Sequence, residues 1–340
     1  MSSHTLIQLK VSKRLWIVGV FAALFSGTLA VAALAQEQPK YTAEEYKAYQ
    51  AITAETDPVK KTALVIAFLK DRPQSTLRPH VIADYQKMMQ ELQKNGNWAA
   101  IIAAGEQFIT VVPDDLLTIS LLATAYQKTK NNEKFVTYGE KVFDANPNGN
   151  IAYYLAKAYL DMKNNAGFVK WGEKAVEFMP DNYEILLELT KSFGEARHYP
   201  QAIKYGKMCL KAFQSATKPE VMSEKDWKAF STHLNATCYF IVGNSAFEMK
   251  EYATAIANLE SSLKYFLKNE TAYYKLAQAY WQQNRIDLAM KNFAKAYLLN
   301  GSYSRAARQY LDQLYKSTHQ MSLAGEERVI AKAKEELNIR

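Results

Sequence analysis

Apolar residues along this chain recur every three or four positions, as in Ile119, Leu122, Ala123 and Tyr126, or Leu155, Ala156, Tyr159 and Leu160. That is the spacing of one buried face of a helix. The pattern is itself repeated. Gly105, Gly139, Gly172 and Gly206 follow one another at 34, 33 and 34 residues, and the first three are each followed by a glutamate. Pro113, Pro147 and Pro180 lie eight residues after their glycines, where a missing amide proton ends a helix. Ala123, Ala156 and Ala277 each stand three residues before a tyrosine. Each unit therefore reads as two short helices, and the period predicts a stack of such units.

These marks resemble the tetratricopeptide repeat, which carries a small residue and a tyrosine on its first helix, alanine and an aromatic on its second, and a closing proline. The sixth copy matches through Ala277, Tyr280, Ile286, Ala289, Phe293 and Ala296, and the fifth through Gly243, Tyr252, Ala255 and Ile256. The resemblance implies an all-α fold, a right-handed α-solenoid of antiparallel helix pairs with helical end caps. Six repeats are expected between about His80 and Asn300. The expected division is a cap over 36–79, repeats one to four over 80–213, an insertion and helix extension over 214–229, repeats five and six over 230–300, and capping helices over 301–340.

Two departures from the family pattern carry information. Four successive second helices have glycine where the family has a large residue, with Tyr138, Trp171 and Tyr205 one place earlier in three of them. Glycine inside a helix costs about 0.5 to 1 kcal/mol relative to alanine, so the shared expectation is a close approach of neighbouring helices. The fifth repeat also lags by about 19 residues, which fall between Phe213 and Phe230. Ser223, with Asp226 three residues on, predicts the start of a helix of about 27 residues whose first two turns project beyond the array.

At the start of the chain, Lys10, Lys13 and Arg14 precede an uncharged run from Leu15 to Ala35 that ends in Ala33-Leu34-Ala35. This reads as an export signal, or as an uncleaved membrane anchor over 15–35. Either form delivers the rest of the chain outside the cytoplasm, as a periplasmic or secreted protein or an anchored one. The stretch Phe68-Leu69-Lys70 before Pro73-Gln74-Ser75 is similar to units in envelope-assembly repeat proteins of bacteria. Without the signal's three cations the formal charge falls from +8 to about +5. Acids and bases alternate throughout, so the electrostatic footprint of a nucleic-acid binder is missing.

Composition narrows the chemistry further. Thirteen glycines and nine prolines in 340 residues are few for a loop-rich β fold, and two cysteines with five scattered histidines offer no metal-ligand cluster. No phosphate-cradling loop or nucleophile elbow is found. Ser261 and Lys264 have the spacing of a Ser-x-x-Lys dyad without its companion motifs. Cys209 and Cys238 fall on adjoining helices, close enough in topology for a disulfide or for two packed thiols.

What remains is the concave face. The resemblance places Tyr153 and Lys157, then Lys191, then Phe240, Asn244 and Phe247, and finally Tyr274, Gln278 and Trp281 along it. Aromatic rings flanked by amides and lysines suit a peptide, and each aromatic stands equally as groove or core. The carboxylate clamp of the family's chaperone-tail binders is absent. The sequence therefore reads as an exported, non-catalytic scaffold of the cell envelope that holds a protein or peptide, with no cofactor and no nucleic acid. The alternative is an architectural subunit of an envelope assembly or secretion complex, acting through its ends and projecting helix.

Overall fold

The computed structural model describes residues 41–338. The expected signal or anchor over 1–35 lies outside them, and among the described residues no helix is long and apolar enough to cross a membrane. Sixteen α-helices make up the described chain. An N-terminal pair, α1 (Ala43–Ala54) and α2 (Pro58–Asp71), precedes six hairpins. The hairpins are α3 (Arg78–Lys94) with α4 (Trp98–Phe108), α5 (Leu116–Lys128) with α6 (Asn132–Ala145), α7 (Gly149–Asp161) with α8 (Asn165–Phe178), α9 (Tyr183–Glu195) with α10 (Tyr199–Gln214), α11 (Glu224–Glu248) with α12 (Tyr252–Tyr265), and α13 (Glu270–Gln282) with α14 (Ile286–Leu298). The chain closes with α15 (Ser304–Thr318) and α16 (Glu326–Glu336). Each helix packs mainly on its neighbours in sequence, so the architecture is an α-solenoid of helix pairs.

One turn makes all six hairpins. The residue after the first helix's cap, Gly96, Lys130, Lys163, Arg197, Lys250 or Asn284, adopts a left-handed conformation. The next amide bonds back across that turn, as Asn131 N does to the Tyr126 carbonyl at 2.9 Å and Asn164 N to that of Tyr159 at 2.9 Å. This 6→1 closure is the Schellman motif. Its final residue also opens the second helix: the side chains of Asn97, Asn131 and Asn164 accept the amides of Ala100, Lys134 and Gly167. A stop and a start thus share one residue, which forces the second helix back antiparallel to the first.

Successive hairpins are spaced by the glycine register. A methyl group on Gly105 would stand 2.8 Å from Leu122, one on Gly139 3.0 Å from Leu155, one on Gly172 3.0 Å from Leu189, and one on Gly206 2.5 Å from Val242. Every one of these neighbours lies on the first helix of the following hairpin. The close approach expected from sequence is therefore present, and each glycine is a seat for the next unit's aliphatic side chain.

At the first three seats the glutamate beside the glycine fastens the contact. Tyr126 Oη donates to Glu106 at 2.6 Å, Tyr159 Oη to Glu140 at 2.8 Å, and Tyr205 Oη to Glu173 at 2.8 Å. Trp171 Nε1 also donates to Glu140, at 2.9 Å, and Tyr280 Oη donates to Glu260 in the fifth repeat. The carboxylate thus accepts from aromatics of the next hairpin, which explains the aromatic that precedes Gly139, Gly172 and Gly206. Burial tends to raise the Glu106 carboxyl, but hydrogen bonds from Tyr126, Tyr138 and Lys134 outweigh it and hold it below the usual 4.5. The partner hydroxyls move the other way: burial first, and then Glu140, push Tyr159 up to about 12.

At the C-terminus α16 lies across α14 rather than pairing along α15, with Glu336 bonded to Lys291 at 2.7 Å and Lys295 at 2.6 Å, and Glu326 paired with Arg308. Three apolar clusters fill the stack. The middle one ends at Leu234 and Cys238, whereas Phe240 and Phe247 of the same helix pack on the C-terminal one. Helix α11 therefore spans the seam between two parts of the core.

Alanine is the better helix former by about 1 kcal/mol, yet Gly206→Ala should lower stability by about 1 to 2 kcal/mol, because its methyl overlaps the stiff Val242 and Thr190. Gly139→Ala meets only the movable tip of Leu155 and the ring of Phe135 and should be near neutral. Chemical unfolding followed by circular dichroism reads both, and Val242→Ala should rescue Gly206→Ala. A second expectation follows from Glu106, whose depressed pKa stabilises the fold above about pH 4.5 and ceases to as pH falls through the folded value. Glu106→Gln should be less stable than the parent at neutral pH, with the gap narrowing toward pH 3 in unfolding curves.

Candidate functional site

The insertion reshapes one first helix. After α10, Pro219 and Ser223 turn the chain, and Ser223 Oγ accepts the Asp226 amide at 3.1 Å while donating to the Asp226 carboxylate at 2.6 Å. The Asp226 carboxylate thus takes the Ser223 hydroxyl and leaves the cap amide alone, unlike a full capping box. Helix α11 then runs 25 residues, nearly twice the length of α9.

Its first turns do not stand free. Trp227 lies 5.1 Å from Phe213 and 6.5 Å from Tyr183, ring centre to ring centre, and Phe230 lies 5.9 Å from both. The projection expected from sequence is corrected accordingly: one face of the extension is pinned on the preceding hairpin by four aromatic rings. On the side of the following hairpin the extension has no partner, because α12 reaches back only far enough for Tyr265 to stack on Tyr239 and for Ser262 Oγ to bond the Ala236 carbonyl at 2.9 Å.

A groove of about 980 Å³ opens along that unpartnered side. Its floor is one stripe of α11, from Lys225 and Ala229 through Thr232 and Ala236 to Phe240 and Asn244, at the three- and four-residue spacing of a single helix face. The last turn of α9, with Lys191 and Glu195, forms one wall, and Tyr265, Phe266 and Asn269 form the other. The lining is mostly apolar. Phe266 is 53% exposed, an aromatic ring left in water at the groove's edge.

Of the residues expected on the concave face, Lys191, Phe240 and Asn244 meet here. Lys191 Nζ is held by Glu188 at 2.8 Å. Phe247 lies further along α11, beneath Lys275, whose ammonium sits 4.5 Å from the ring centre and pairs with Glu248 at 2.6 Å. Tyr153 and Lys157 form a separate patch: Tyr153 Oη donates to Glu184 at 2.8 Å, and the Lys157 ammonium lies 5.4 Å from its ring. Burial, and then Glu184, raise the Tyr153 hydroxyl above its ordinary range.

The last first-helix set behaves differently. Tyr274 stacks on Tyr303 at 4.5 Å and meets Phe293 edge-on at 5.8 Å, so it belongs to the core, not to a groove. Gln278 is half-buried and its Nε2 donates to Tyr274 Oη at 3.4 Å. Trp281, half-buried, lies 5.5 Å from Tyr310. The physical reason is α15, whose Tyr303 and Tyr310 fill the inner face at that end.

Lys225, Lys228 and the Tyr265-Phe266 edge escape a reading based on repeat positions, since they lie in the extension and in a turn. Three consecutive apolar residues at the end of α12, Tyr265, Phe266 and Leu267, are the signal that points to them. Ser261 Oγ donates to the Ala257 carbonyl at 2.8 Å, within its own helix.

Cys209 and Cys238 do face each other across α10 and α11, but as free, fully buried thiols. The disulfide considered from sequence is not formed. Cys209 Sγ instead donates to the Tyr183 carbonyl at 3.5 Å, and contact with Cys209, followed by burial, drives the Cys238 thiol far above its usual range.

Stacked hairpins spaced by glycine seats, with a long groove at their seam, define a helical-repeat protein. Residues 243–298 match the family model of the tetratricopeptide repeat, so the chain carries that repeat. No curated protein sequence matches it. Among solved structures it is similar to a crystal structure of MamA protein, at 20% identity over 56% of this chain and 92% of that one, with a TM-score of 0.41. It is also similar to MamA 41-end from Desulfovibrio magneticus RS-1, at 14% identity over 55% and 93%, with a TM-score of 0.39.

Titration with a thiol reagent should find neither cysteine reactive in the folded chain and both reactive once it is unfolded without reductant.

Proposed function

We infer that this protein is a non-catalytic scaffold of the cell envelope that holds a segment of another protein in the α11 groove. The groove itself carries the reading. From Lys225 to Asn244 its floor covers about 28 Å of helix at 1.5 Å per residue. That length exceeds the reach of a small metabolite and matches a peptide of about eight extended residues. Half-buried Phe240 and exposed Phe266 supply ring surface, and Asn244, whose amide is unbonded within the described residues, supplies backbone-pairing groups. Export rests on the cation-flanked apolar run over 15–35. The architectural alternative is weakened, because the extension it would use is pinned to α9 and α10.

Selection from a displayed random-peptide library on the full chain tests this. Selected peptides should lose at least tenfold in affinity on Thr232→Trp, which places an indole across the middle of the groove from an exposed position. Peptides that bind the variant as well as the parent would refute it.

A further inference from the structure

The charges around the groove specify its occupant. We propose that it takes an acidic, amphipathic segment of a partner protein, with carboxylates over Lys225 and Lys228 and apolar side chains over Phe240 and Ile241. This rests on the peptide-binding reading above.

Lys225 and Lys228 are exposed, one turn apart, and neither joins an ion pair among the described residues. Two other lysines nearby are engaged, Lys191 with Glu188 at 2.8 Å and Lys218 with Glu224 at 3.6 Å. Glu195, at the opposite wall, is the one carboxylate among the lining residues. Within its lining the groove therefore presents two unpaired lysines at the start of α11; Glu224 and Asp226 stand on the same turn but do not line it. Past the lysines the floor turns apolar toward Phe240 and Ile241, and Asn244 and Asn269 lie at its far end. A basic segment would bring like charges against Lys225 and Lys228. An acidic one gains charge-assisted contacts there and buries its apolar side along the rest. This polarity is a product of the insertion, since both lysines stand on turns that an ordinary repeat lacks.

The test uses two labelled synthetic peptides of about 18 residues, roughly the groove's length as helix. Both carry leucine at every third or fourth position; one has glutamate and the other lysine between. Fluorescence anisotropy with the full chain should show the glutamate peptide binding at least tenfold tighter, with the preference fading at high salt. Lys225→Glu with Lys228→Glu should remove that preference while leaving the helical circular dichroism unchanged, because both positions are exposed. If the lysine peptide binds equally well or better, and Thr232→Trp still abolishes its binding, the groove reading stands and the acidic partner is overturned. If neither peptide binds, or binding ignores Thr232→Trp, both readings fall.

Discussion

The distance between one hairpin and the next is set by a glycine that admits a leucine or valine and a neighbouring glutamate that ties down an aromatic hydroxyl or indole. Everything else in the stack is arranged around that contact. Gly139 and Glu140 together receive Leu155, Tyr159 and Trp171, so one dipeptide positions both helices of the following unit. An aliphatic seat alone would fix spacing without fixing rotation; the directional hydrogen bond supplies the second constraint. The glycine's helix penalty is offset because the alternative is overlap with a side chain already in place.

Helix α11 interrupts this regularity without breaking it. Its second half obeys the repeat, with Val242 seated on Gly206 and Gly243 against Leu259. Its first half is additional and belongs to the core of the preceding hairpins through Trp227, Phe230 and Leu234. The next hairpin begins too late along the helix to cover the extension's other side. A groove results from the mismatch in length between one helix and its successors, and its walls come from elements 75 residues apart in sequence, Lys191 and Phe266.

Much of the fold was legible because it is local and periodic. The glycine spacing, the paired helices, the six repeats and the long helix after Ser223 all leave marks within 34 residues of themselves. The role of Glu106 and Glu140 was visible only as a recurring letter, since its meaning lies in aromatics 19 to 31 positions away. The groove was half legible. Repeat positions found Lys191, Phe240 and Asn244, but the same rule put Tyr274 on a surface that Tyr303 covers. Lys225 and Phe266 stand outside any repeat register, so periodicity had nothing to say about them. Whether Trp227 projects or packs depends on Tyr183, which no pattern within the helix reveals.

The hairpin-to-hairpin fastening also has a mechanical consequence. Each glutamate bridges only adjacent units, so a pull on the two ends is borne in series, like load along a row of springs, and small tilts at each seat add into a large elastic extension. The long rod of α11 is the stiff member in that row, because a single continuous helix crosses from one part of the core to the other. Tilting at the seats on either side of it leaves the span between Lys225 and Asn244, one unbroken helix, to move as a unit.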